Sequence, residues 1–405
     1  MVKKKILFIS QYFYPENFKG NDLVFELVKQ GYEVVVITGK PNYPKGSFFT
    51  GYGLFNRNKE TINGAKVFRL PLIPRGRGKG VRIIINYLSF YLSALFYYKF
   101  FPFHFKYDIV ITQQLSPMTS SLPAIWYKKK RKKPLITWVL DLWPESVIST
   151  TRFKKGFFIE KLSFLSKKLY ESSDVILVSS KSFLKPITER NINPEKIVYF
   201  PNWADEVFEL KNCNYQFPKL PIGFNVVFAG NFGEAQDFKS VIQAIKLIEK
   251  KEEINFVFVG SGRYESNLRR LIDDSQLKNV YLFPQFPAEY MPSLYAQASV
   301  MLLTLKGGDV ISNTVPAKLQ SYMACSKAIV AMIEGEASEV VQASKCGLVS
   351  TAGDYVGLAS NIIKLKNMPE SELTIMENCS RKYYDEHFTR RKAIKSIINL
   401  IEELT

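Results

Sequence analysis

Apolar runs of strand length recur along the chain, and each is followed by a loop and then by an amphipathic helical pattern. This unit opens once at 5–38 and again at 224–245, where FNVVFAG leads through a loop to the helical pattern FKSVIQAI. Strands that alternate with helices indicate a mostly parallel sheet. We therefore predict an α/β protein with two doubly wound parallel-sheet lobes that face each other across a cleft.

The same alternation predicts the boundaries. We expect a first lobe at 1–205, a linker with Pro218 and Pro221 at 206–223, a second lobe at 224–385 and a closing helix at 386–405. Strands are predicted at 6–10, 33–38, 66–70, 108–112, 135–140, 175–179, 197–200, 256–260, 280–283, 300–305 and 328–332, and first-lobe helices at 21–30, 119–127 and 157–171.

The composition agrees with two domains and indicates the kind of cellular compartment. The chain has 405 residues, 46% of them hydrophobic and 23% charged, which suffices for two large cores. Four scattered cysteines and two histidines argue against a zinc site or a disulfide framework and favour a reducing compartment. The first apolar stretch is broken at Ser10 and Gln11 without a cleavage site, so we interpret it as a strand and not as a signal peptide.

The charge balance is strongly basic, with 55 Lys and Arg against 37 Asp and Glu and a net charge of +18. Such a surplus predicts attraction to an anionic surface. Basic residues cluster at Arg75, Arg77, Lys79 and Arg82 and at 128–133 (KKKRKK), beside aromatic residues and without a nucleic-acid-binding motif. An anionic bilayer fits these clusters better than nucleic acid does, and a solvated basic face remains the alternative.

An aromatic, apolar stretch at 81–99 (VRIIINYLSFYLSALFYYK) requires its own interpretation. It is shorter than the roughly 20 residues that a spanning helix needs, and it contains Asn86, Ser89 and Ser93. Two alternatives stay open, a buried helix of the first lobe or the same helix with one face exposed to lipid. Further phenylalanines at 100, 101, 103 and 105 favour exposure, because so many rings rarely fit one small core.

Two loops of the second lobe have the pattern of anion sites. Gly230, Asn231, Gly233 and Gln236 follow a strand and precede a helix, where free N–H groups and glycine torsions allow a phosphate to approach the backbone. The loop at 307–315 leads to Pro316, Ala317 and Lys318, with the proline placed in the first turn of a helix. The N–H groups there and the Lys318 ammonium would hold a diphosphate. The alternatives are a plain turn and a solvated lysine.

Seven segments, in order through nearly the whole chain, resemble the GT-B glycosyltransferases of the large retaining group known as family 4. They are YFYPEN (12–17), TGKPNYPKG (38–46), LDLWPES (140–146), FPNWAD (200–205), FAGNFGEAQD (228–237), FVGSGR (258–263) and VPAKLQSYMACSKAIVA (315–331). The set most resembles the branch that includes N-acetyl-L-fucosamine transferases of O-antigen and capsule assembly. The resemblance implies a closing helix that packs back on the first lobe.

The chain departs from the family pattern at charged positions. The family's Glu-x7-Glu pair falls on Asn313 and Ser321, so neither carboxylate is present. Its Arg and Lys on the phosphate loop fall on Asn231 and Gln236. The usual histidine of the catalytic region is also missing, which leaves Asp141 or Glu145 as the nearest candidates. The donor site is thus expected to be retuned and still active.

The resemblance implies donor binding on the second lobe and acceptor binding on the first. Catalytic roles fall to Asp141, Glu145 and Lys318. The nucleotide sugar is expected at Gly230, Asn231, Gly233, Gln236, Gly260, Gln285, Phe286, Asn313, Val315, Pro316, Ala317, Lys318, Ser321 and Glu339, and the acceptor at Glu16, Gly20, Asn42 and Tyr43. Structural alternatives remain, since 42–44 would serve as a turn and 143–144 as packing.

The resemblance implies a retaining transfer of an N-acetylated amino or deoxy sugar from a nucleotide diphosphate donor, with UDP favoured. The expected acceptor is a lipid-linked saccharide of cell-surface polysaccharide biosynthesis. We expect no cofactor and, because no Asp-x-Asp pair follows a strand, no obligatory metal. The expected location is cytoplasmic and peripheral on the inner face of the cell membrane, with an anionic membrane surface and no nucleic acid as partner. A sugar-nucleotide 2-epimerase and a degenerate, non-catalytic partner remain the rivals.

Overall fold

The computed structural model describes residues 4–76, 80–101, 105–150, 155–209, 215–248, 253–308 and 314–405. The chain divides into two compact units, the first comprising Met1–Phe200 with Ile394–Thr405 and the second Pro201–Ala393. The segment predicted as a linker, 206–223, belongs with the second unit. Phe208 and Phe217 are the reason, because both are buried in the core of that unit.

The first unit is built on a sheet of eight strands. These are β1 (Lys5–Ile9), β2 (Glu33–Gly39), β3 (Lys59–Ile62), β4 (Ala65–Leu70), β5 (Ile109–Gln114), β6 (Leu135–Val139), β7 (Val175–Val178) and β8 (Ile197–Tyr199). Their order is β3-β4-β2-β1-β5-β6-β7-β8, and β3 pairs antiparallel with β4 at the edge. The chain order reverses between β1 and β5, and ligands of doubly wound sheets bind beyond the carboxyl ends of strands at such a point.

Helices cover this sheet. They are α1 (Lys19–Lys29), α2 (Val81–Phe100), α3 (Pro123–Arg131), α4 (Glu145–Thr150), α5 (Phe157–Ser172) and α6 (Leu184–Thr188). The chain's last helix, α14 (Arg390–Leu404), also contributes, since the Tyr32 hydroxyl donates a hydrogen bond to Glu402 over 2.5 Å.

The second unit is a sheet of six strands, all pairing in parallel. These are β9 (Phe224–Ala229), β10 (Ile254–Val259), β11 (Val280–Phe283), β12 (Val300–Thr304), β13 (Ile329–Met332) and β14 (Gly347–Ser350), in the order β11-β10-β9-β12-β13-β14. Alternate residues of β9 enter different cores, Val227 and Ala229 one and Val226 and Phe228 the other, so the sheet is buried on both faces. Its order reverses between β9 and β12.

The helices of the second unit lie on the two faces of its sheet. They are α7 (Phe238–Ile248), α8 (Glu265–Asp274), α9 (Met291–Gln297), α10 (Ala317–Ala324), α11 (Glu336–Ser344), α12 (Tyr355–Lys366) and α13 (Glu370–His387). The predicted strands are all present within two residues of their expected bounds, whereas β3 and β14 were not predicted. The predicted helix at 119–127 is wrong by four residues at each end, because α3 starts at Pro123 after a separate short turn.

Helix α2 has one buried and one exposed side. Asn86, Phe90 and Ala94, spaced four residues apart, are buried against the unit, and the Asn86 side chain exchanges hydrogen bonds with Gln11 (3.0 Å) and the Ile73 carbonyl (2.6 Å). The opposite side exposes large apolar residues, namely Val81, Ile84, Ile85, Leu88, Leu92, Phe96 and Phe100. The helix is therefore not fully buried in the unit, and contact of its exposed face with lipid stays a prediction.

By length and composition alone, α2 would suffice to cross a membrane, since it has 20 residues and a mean hydropathy of 1.2, and 17% of that stretch is buried. Its packing constrains it further. Because Asn86 and Phe90 are tied to the sheet, α2 offers one side and not its whole circumference to any surrounding phase. We call the exposed side, Val81, Ile84, Ile85, Leu88, Leu92, Phe96 and Phe100, the apolar face of α2.

Candidate functional site

The loops after β9 and β12 meet where the order of the second sheet reverses. The Lys306 N–H donates to the Ala235 carbonyl (2.8 Å), and the Thr304 hydroxyl donates to the Gln236 carbonyl (2.7 Å). The loop after β9 is thereby held against the loop that leads towards α10. Because ligands of doubly wound sheets bind at this point, the loops form the candidate site of the second unit.

Two glycines allow the backbone and one side chain to come close together. Gly260, at φ +154°, has no room for a side chain, since a Cβ would lie 1.9 Å from the Gly230 carbonyl oxygen. At Gly230, at φ +140°, a Cβ would lie 2.7 Å from Cε of Lys318. The aliphatic part of Lys318 thus crosses directly over a residue that must be glycine.

Lys318 brings its ammonium group from α10 to the loop after β9. Its Nζ donates a 2.6 Å hydrogen bond to Oε1 of Gln236 and lies 3.8 Å from the centre of the Phe228 ring. Among the described side chains, no carboxylate forms an ion pair with it. Gln236 occupies a position where the family resemblance implies a cationic side chain. Here its amide instead binds the Lys318 ammonium, which comes from α10. We call Phe228, Gly230, Gln236 and Lys318 the lysine cradle.

Burial lowers the pKa of the Lys318 ammonium from its ordinary 10.5 to about 7. The charged form is disfavoured because neither the ring nor the amide replaces the lost water fully. An anion placed beside Nζ would supply the missing countercharge and raise this pKa again. The lysine cradle is therefore suited to a negatively charged ligand such as a diphosphate.

Other predicted donor residues lie at the start of α10, in the core or in the loop after β9. Pro316 directly precedes α10 as its N-cap and not inside the first turn, while Ala317 opens the helix, whose first N–H groups lack intrahelical partners. Val315 is buried in the core, and Asn231 and Gly233 belong to the loop after β9. Asn313 lies outside the described residues.

Three further candidates make local contacts. The Ser321 hydroxyl donates to the Ala317 carbonyl of its own helix (3.2 Å), and Gln285 accepts from the Ser261 hydroxyl (2.8 Å) at the neighbouring loop after β10. The Phe286 ring packs on Phe217, with centroids 4.7 Å apart. Glu339 is exposed on α11, and no described hydrogen bond or ion pair joins it to the lysine cradle.

On the first unit, Glu16 proves to fasten a loop. It is 1% exposed, and its Oε1 accepts the N–H groups of Asn42 (2.8 Å) and Tyr43 (2.7 Å). Burial raises the pKa of Glu16 to about 7, although these backbone donors pull it down. Glu16 is thus enclosed by its own chain, and its observed role is to hold the loop at Asn42 and Tyr43.

Asn42 and Gly20 are likewise structural. The buried Asn42 side chain accepts the Arg75 N–H (3.0 Å) and donates to the Lys40 carbonyl (3.0 Å). A Cβ at Gly20 would lie 2.4 Å from Oε1 of Gln113, so this glycine lets α1 pack closely on the sheet. Of the four predicted acceptor residues, Tyr43 is the exposed one.

Tyr43 belongs to a cluster of rings at the carboxyl ends of β1, β2 and β4. Its ring centre lies 5.8 Å from that of Tyr12 and 5.5 Å from that of Phe18, and the Arg75 guanidinium lies 5.0 Å from the Tyr43 ring and 5.9 Å from the Tyr87 ring. We call Tyr12, Phe18, Tyr43, Arg75 and Tyr87 the tyrosine cluster. Rings and a planar cation suit the flat apolar faces and hydroxyls of a sugar.

The two predicted catalytic acids of the first unit differ in their surroundings. Asp141 accepts hydrogen bonds from the hydroxyls of Ser116 and Ser146 and from the Trp143 indole (3.3 Å). The Tyr12 hydroxyl donates to the Ser116 carbonyl (3.3 Å), so Asp141 adjoins the tyrosine cluster. Oδ2 accepts two of these bonds and Oδ1 one, from Ser146, so Oδ1 can accept a further hydrogen bond from an acceptor hydroxyl.

Glu145 is committed elsewhere. It forms a half-buried ion pair with Arg190, and the Arg190 guanidinium also donates to the Pro186 carbonyl (2.5 Å). This pair ties α4 to the segment after α6. Of the two acids, Asp141 is therefore the one that no described ion pair engages. Across the described residues, no group of three or more His, Cys, Asp or Glu side chains is arranged to hold a metal ion.

Sequence reasoning missed Tyr12, Tyr87 and the ring contacts of Arg75. Arg75 was assigned to a membrane-facing basic cluster with Arg77 and Lys79, which lie outside the described residues. The available signal was positional, because Arg75 and Tyr12 each follow a strand that ends at the same sheet edge. Tyr87 gave no such signal, since it lies within an apolar helix.

Two protein families match successive parts of the chain. The family described as Glycosyl transferase 4-like domain matches residues 21–203, and the family described as Glycosyl transferases group 1 matches residues 223–367. The first match ends and the second begins near the junction of the two compact units. Each unit thus has its own family match.

Curated relatives of similar sequence carry related descriptions. A probable glycosyltransferase WbjE of Pseudomonas aeruginosa is 27% identical over 278 residues, covering 66% of this chain and 69% of the relative. A putative colanic acid biosynthesis glycosyl transferase WcaI of Escherichia coli K12 is 24% identical over 324 residues, covering 75% and 76%.

Solved structures share the fold at low sequence identity. Sucrose-phosphate synthase from Thermosynechococcus elongatus superposes with a TM-score of 0.71 at 16% identity, covering 99% of both chains. HepE from Anabaena, solved in complex with UDP, gives a TM-score of 0.68 at 13% identity, covering 100% of both chains. At these identities the likeness establishes the fold.

Proposed function

Because the chain belongs to the glycosyltransferases of the GT-B fold, with a 4-like domain followed by a group 1 domain, we propose that it moves a sugar from a UDP-sugar to a lipid-linked saccharide with retention. The relatives named for colanic acid biosynthesis support a place in cell-surface polysaccharide assembly. The finer proposal of an N-acetylated amino or deoxy sugar rests on the resemblance to the fucosamine transferase branch.

The observation that carries the donor proposal is the lysine cradle. A half-buried ammonium with no described carboxylate partner lies at the order reversal of the second sheet, over a glycine and beside the start of α10. These groups offer a diphosphate one cation and several N–H donors. HepE, a solved GT-B relative in fold, contains UDP, which supports uridine as the nucleoside.

In the proposed reaction, the bond between the sugar and the donor diphosphate breaks as the acceptor hydroxyl attacks from the same face. The hydroxyl proton passes to the leaving oxygen, so no protein nucleophile is needed. Lys318 and the N–H groups at the start of α10 stabilise the negative charge that grows on the diphosphate. Asp141 positions the acceptor hydroxyl at the edge of the tyrosine cluster.

A membrane location is proposed from the apolar face of α2. Leu92 is 58% exposed and Phe96 51%, and monomers seldom leave so continuous an apolar strip in water. The basic run at 128–133 contributes less than its sequence suggests, since Lys128 pairs with Asp174 (2.5 Å) and Lys133 with Asp108 (3.6 Å). Lys129, Lys130 and Lys132 remain exposed for an anionic bilayer.

A thermal-shift screen of UDP-, GDP-, dTDP- and ADP-sugars, followed by transfer to lipid extracts, tests the function. A donor at 100 times its dissociation constant should stabilise the protein by about 2.7 kcal/mol. Stabilisation by a UDP-sugar that Lys318→Met weakens, together with sugar transfer, is expected. Binding without transfer would indicate a non-catalytic partner, and no binding of any nucleotide sugar would contradict the proposal.

Donor binding should be coupled to proton uptake at Lys318. The pKa of Lys318 is about 7 in the ligand-free protein, and a bound diphosphate should raise it. As the pH rises from the lower to the higher of these two pKa values, donor affinity should fall by up to about tenfold per pH unit. The stability of the donor-free protein should depend on pH in the opposite direction. Between about pH 7 and pH 10.5 Lys318 is protonated in the unfolded chain but neutral in the folded one, so the free energy of unfolding rises with pH over this range. Calorimetry in buffers of different ionisation enthalpy measures the uptake, and Lys318→Met should abolish it.

A further inference from the structure

Arg75 is an arginine without an acidic partner in the described part of the chain. Its guanidinium lies over the rings of Tyr43 and Tyr87, at 5.0 and 5.9 Å from their centres. The nearby carboxylate, Asp141, is bonded by hydroxyls and an indole and not by Arg75. Ring faces stabilise a cation only weakly at exposed sites, so the guanidinium retains its capacity to bind an anion.

Buried groups hold this arginine in place. Asn42 accepts the Arg75 N–H (3.0 Å), and the next residue, Gly76, donates to the Gly46 carbonyl (2.8 Å). Glu16 fixes Asn42 and Tyr43 by accepting both of their N–H groups. The buried Glu16 carboxylate therefore positions the Tyr43 ring, on which the guanidinium lies, and, through Asn42, the backbone of Arg75. A guanidinium held in a fixed position in this way is typical of a ligand-binding group, whereas a solvated surface charge does not need to be fixed.

The position of Arg75 is also defined with respect to α2. The Ile73 carbonyl accepts from Asn86 of α2, and the Pro74 carbonyl accepts from Arg82 (3.4 Å). Tyr87, on the next position of the helix, faces Arg75, while Ile84 and Leu88 belong to the apolar face of α2. The guanidinium thus lies where the tyrosine cluster adjoins the helix that we propose meets lipid.

We propose that Arg75 binds the phosphate group that joins the acceptor saccharide to its lipid. This inference rests on the proposed function. The planar guanidinium can donate two parallel hydrogen bonds to a phosphate, which a lysine cannot match. The rings of Tyr43 and Tyr87 then face the first sugar, and the hydrocarbon leaves along the apolar face of α2. Arg75 accordingly makes the acceptor site specific for phosphate-linked saccharides.

The test measures binding of farnesyl diphosphate, farnesol and inorganic pyrophosphate to the full chain by calorimetry. Arg75→Gln should weaken farnesyl diphosphate binding about 10- to 100-fold, the range for a lost charge-assisted hydrogen-bond pair. It should leave farnesol binding unchanged, and Arg75→Lys should recover part of the loss. The matched control is Arg57→Gln, since Arg57 also lies over a tyrosine, 5.2 Å from the Tyr52 ring centre, and should have no effect.

Further arms separate the sources of phosphate. Equal affinity of farnesyl diphosphate for the wild type and Arg75→Gln overturns the proposal, as does an equal loss of farnesol binding. Inorganic pyrophosphate bound as tightly as farnesyl diphosphate would indicate a free-anion site. A matching loss of sedimentation with phosphatidylglycerol vesicles would assign Arg75 to bilayer headgroups. Nucleotide-sugar stabilisation of Arg75→Gln should persist, and its absence in the wild type would count against the proposed function instead.

Discussion

Lys318→Ala should lower the rate of sugar transfer about 100-fold while leaving the fold intact. Loss of one preorganised donor aimed at developing charge has a cost of about 2.7–4 kcal/mol in the transition state. Stability should stay the same or rise, because the substitution removes an ammonium that burial already disfavours. Steady-state kinetics with the donor from the screen, together with thermal unfolding, measures both effects.

The control for this result is Lys364→Ala. Lys364 is exposed on α12 of the same unit, so its replacement also removes a lysine from this unit without touching the lysine cradle. Both variants should unfold cooperatively, and the transfer rate should fall in the first alone. A rate for Lys318→Ala within twofold of the wild type would remove Lys318 from the site.

Placing charges on the apolar face of α2 should abolish binding to membranes. The triple variant Ile84→Glu, Leu88→Glu and Leu92→Glu replaces three side chains that are 51%, 47% and 58% exposed. Removing each from lipid costs roughly 1 kcal/mol at such partial burial, so the three together should weaken binding about 100-fold. Glutamate is a good helix former, and the buried side of α2 is unchanged, so the fold should persist. Sedimentation with phosphatidylglycerol vesicles measures the loss.

The matched control is Leu247→Glu with Val356→Glu, which charges two exposed apolar residues of the second unit. It should bind vesicles as the wild type does. High salt should release the wild type in part, because charge attraction is screened beyond a Debye length of about 8 Å at physiological salt. Undiminished vesicle binding by the triple variant would return α2 to the role of a packing helix.

The parallel strands and the donor loops were predictable because each depends on local signals. Buried strands such as β9, which reads FNVVFA, are nearly continuous apolar runs, and a glycine directly after the strand marks the turn to the predicted phosphate loop. What the sequence did not predict is that Lys318 reaches back to Gln236. That contact joins two elements 82 positions apart, and it depends on the room left above Gly230.

For the acceptor residues, the sequence selected positions that the structure shows to be buried. Glu16, Asn42 and Gly20 were selected as polar or small residues in segments that resemble the family, yet all three are buried and serve the loop or the packing of α1. Burial of a loop residue depends on which neighbouring loop covers it, and no local pattern records that. Asp141 and Glu145 have the same charge four positions apart, yet Asp141 accepts from hydroxyls and an indole whereas Glu145 pairs with Arg190.

The two-sided character of α2 also matters for anyone producing this protein. An exposed strip of leucine, isoleucine and phenylalanine promotes aggregation during expression and purification, which is usually prevented with detergent or by redesigning the surface. The structure separates what a redesign can alter from what it must keep. Positions 84, 88, 92 and 96 are exposed, so we expect them to accept polar replacement, whereas Asn86 and Phe90 are buried and should be kept, because they anchor the helix beside the loop of Arg75. A variant built on this division should be less prone to aggregate and should keep the lysine cradle and the tyrosine cluster for crystallisation.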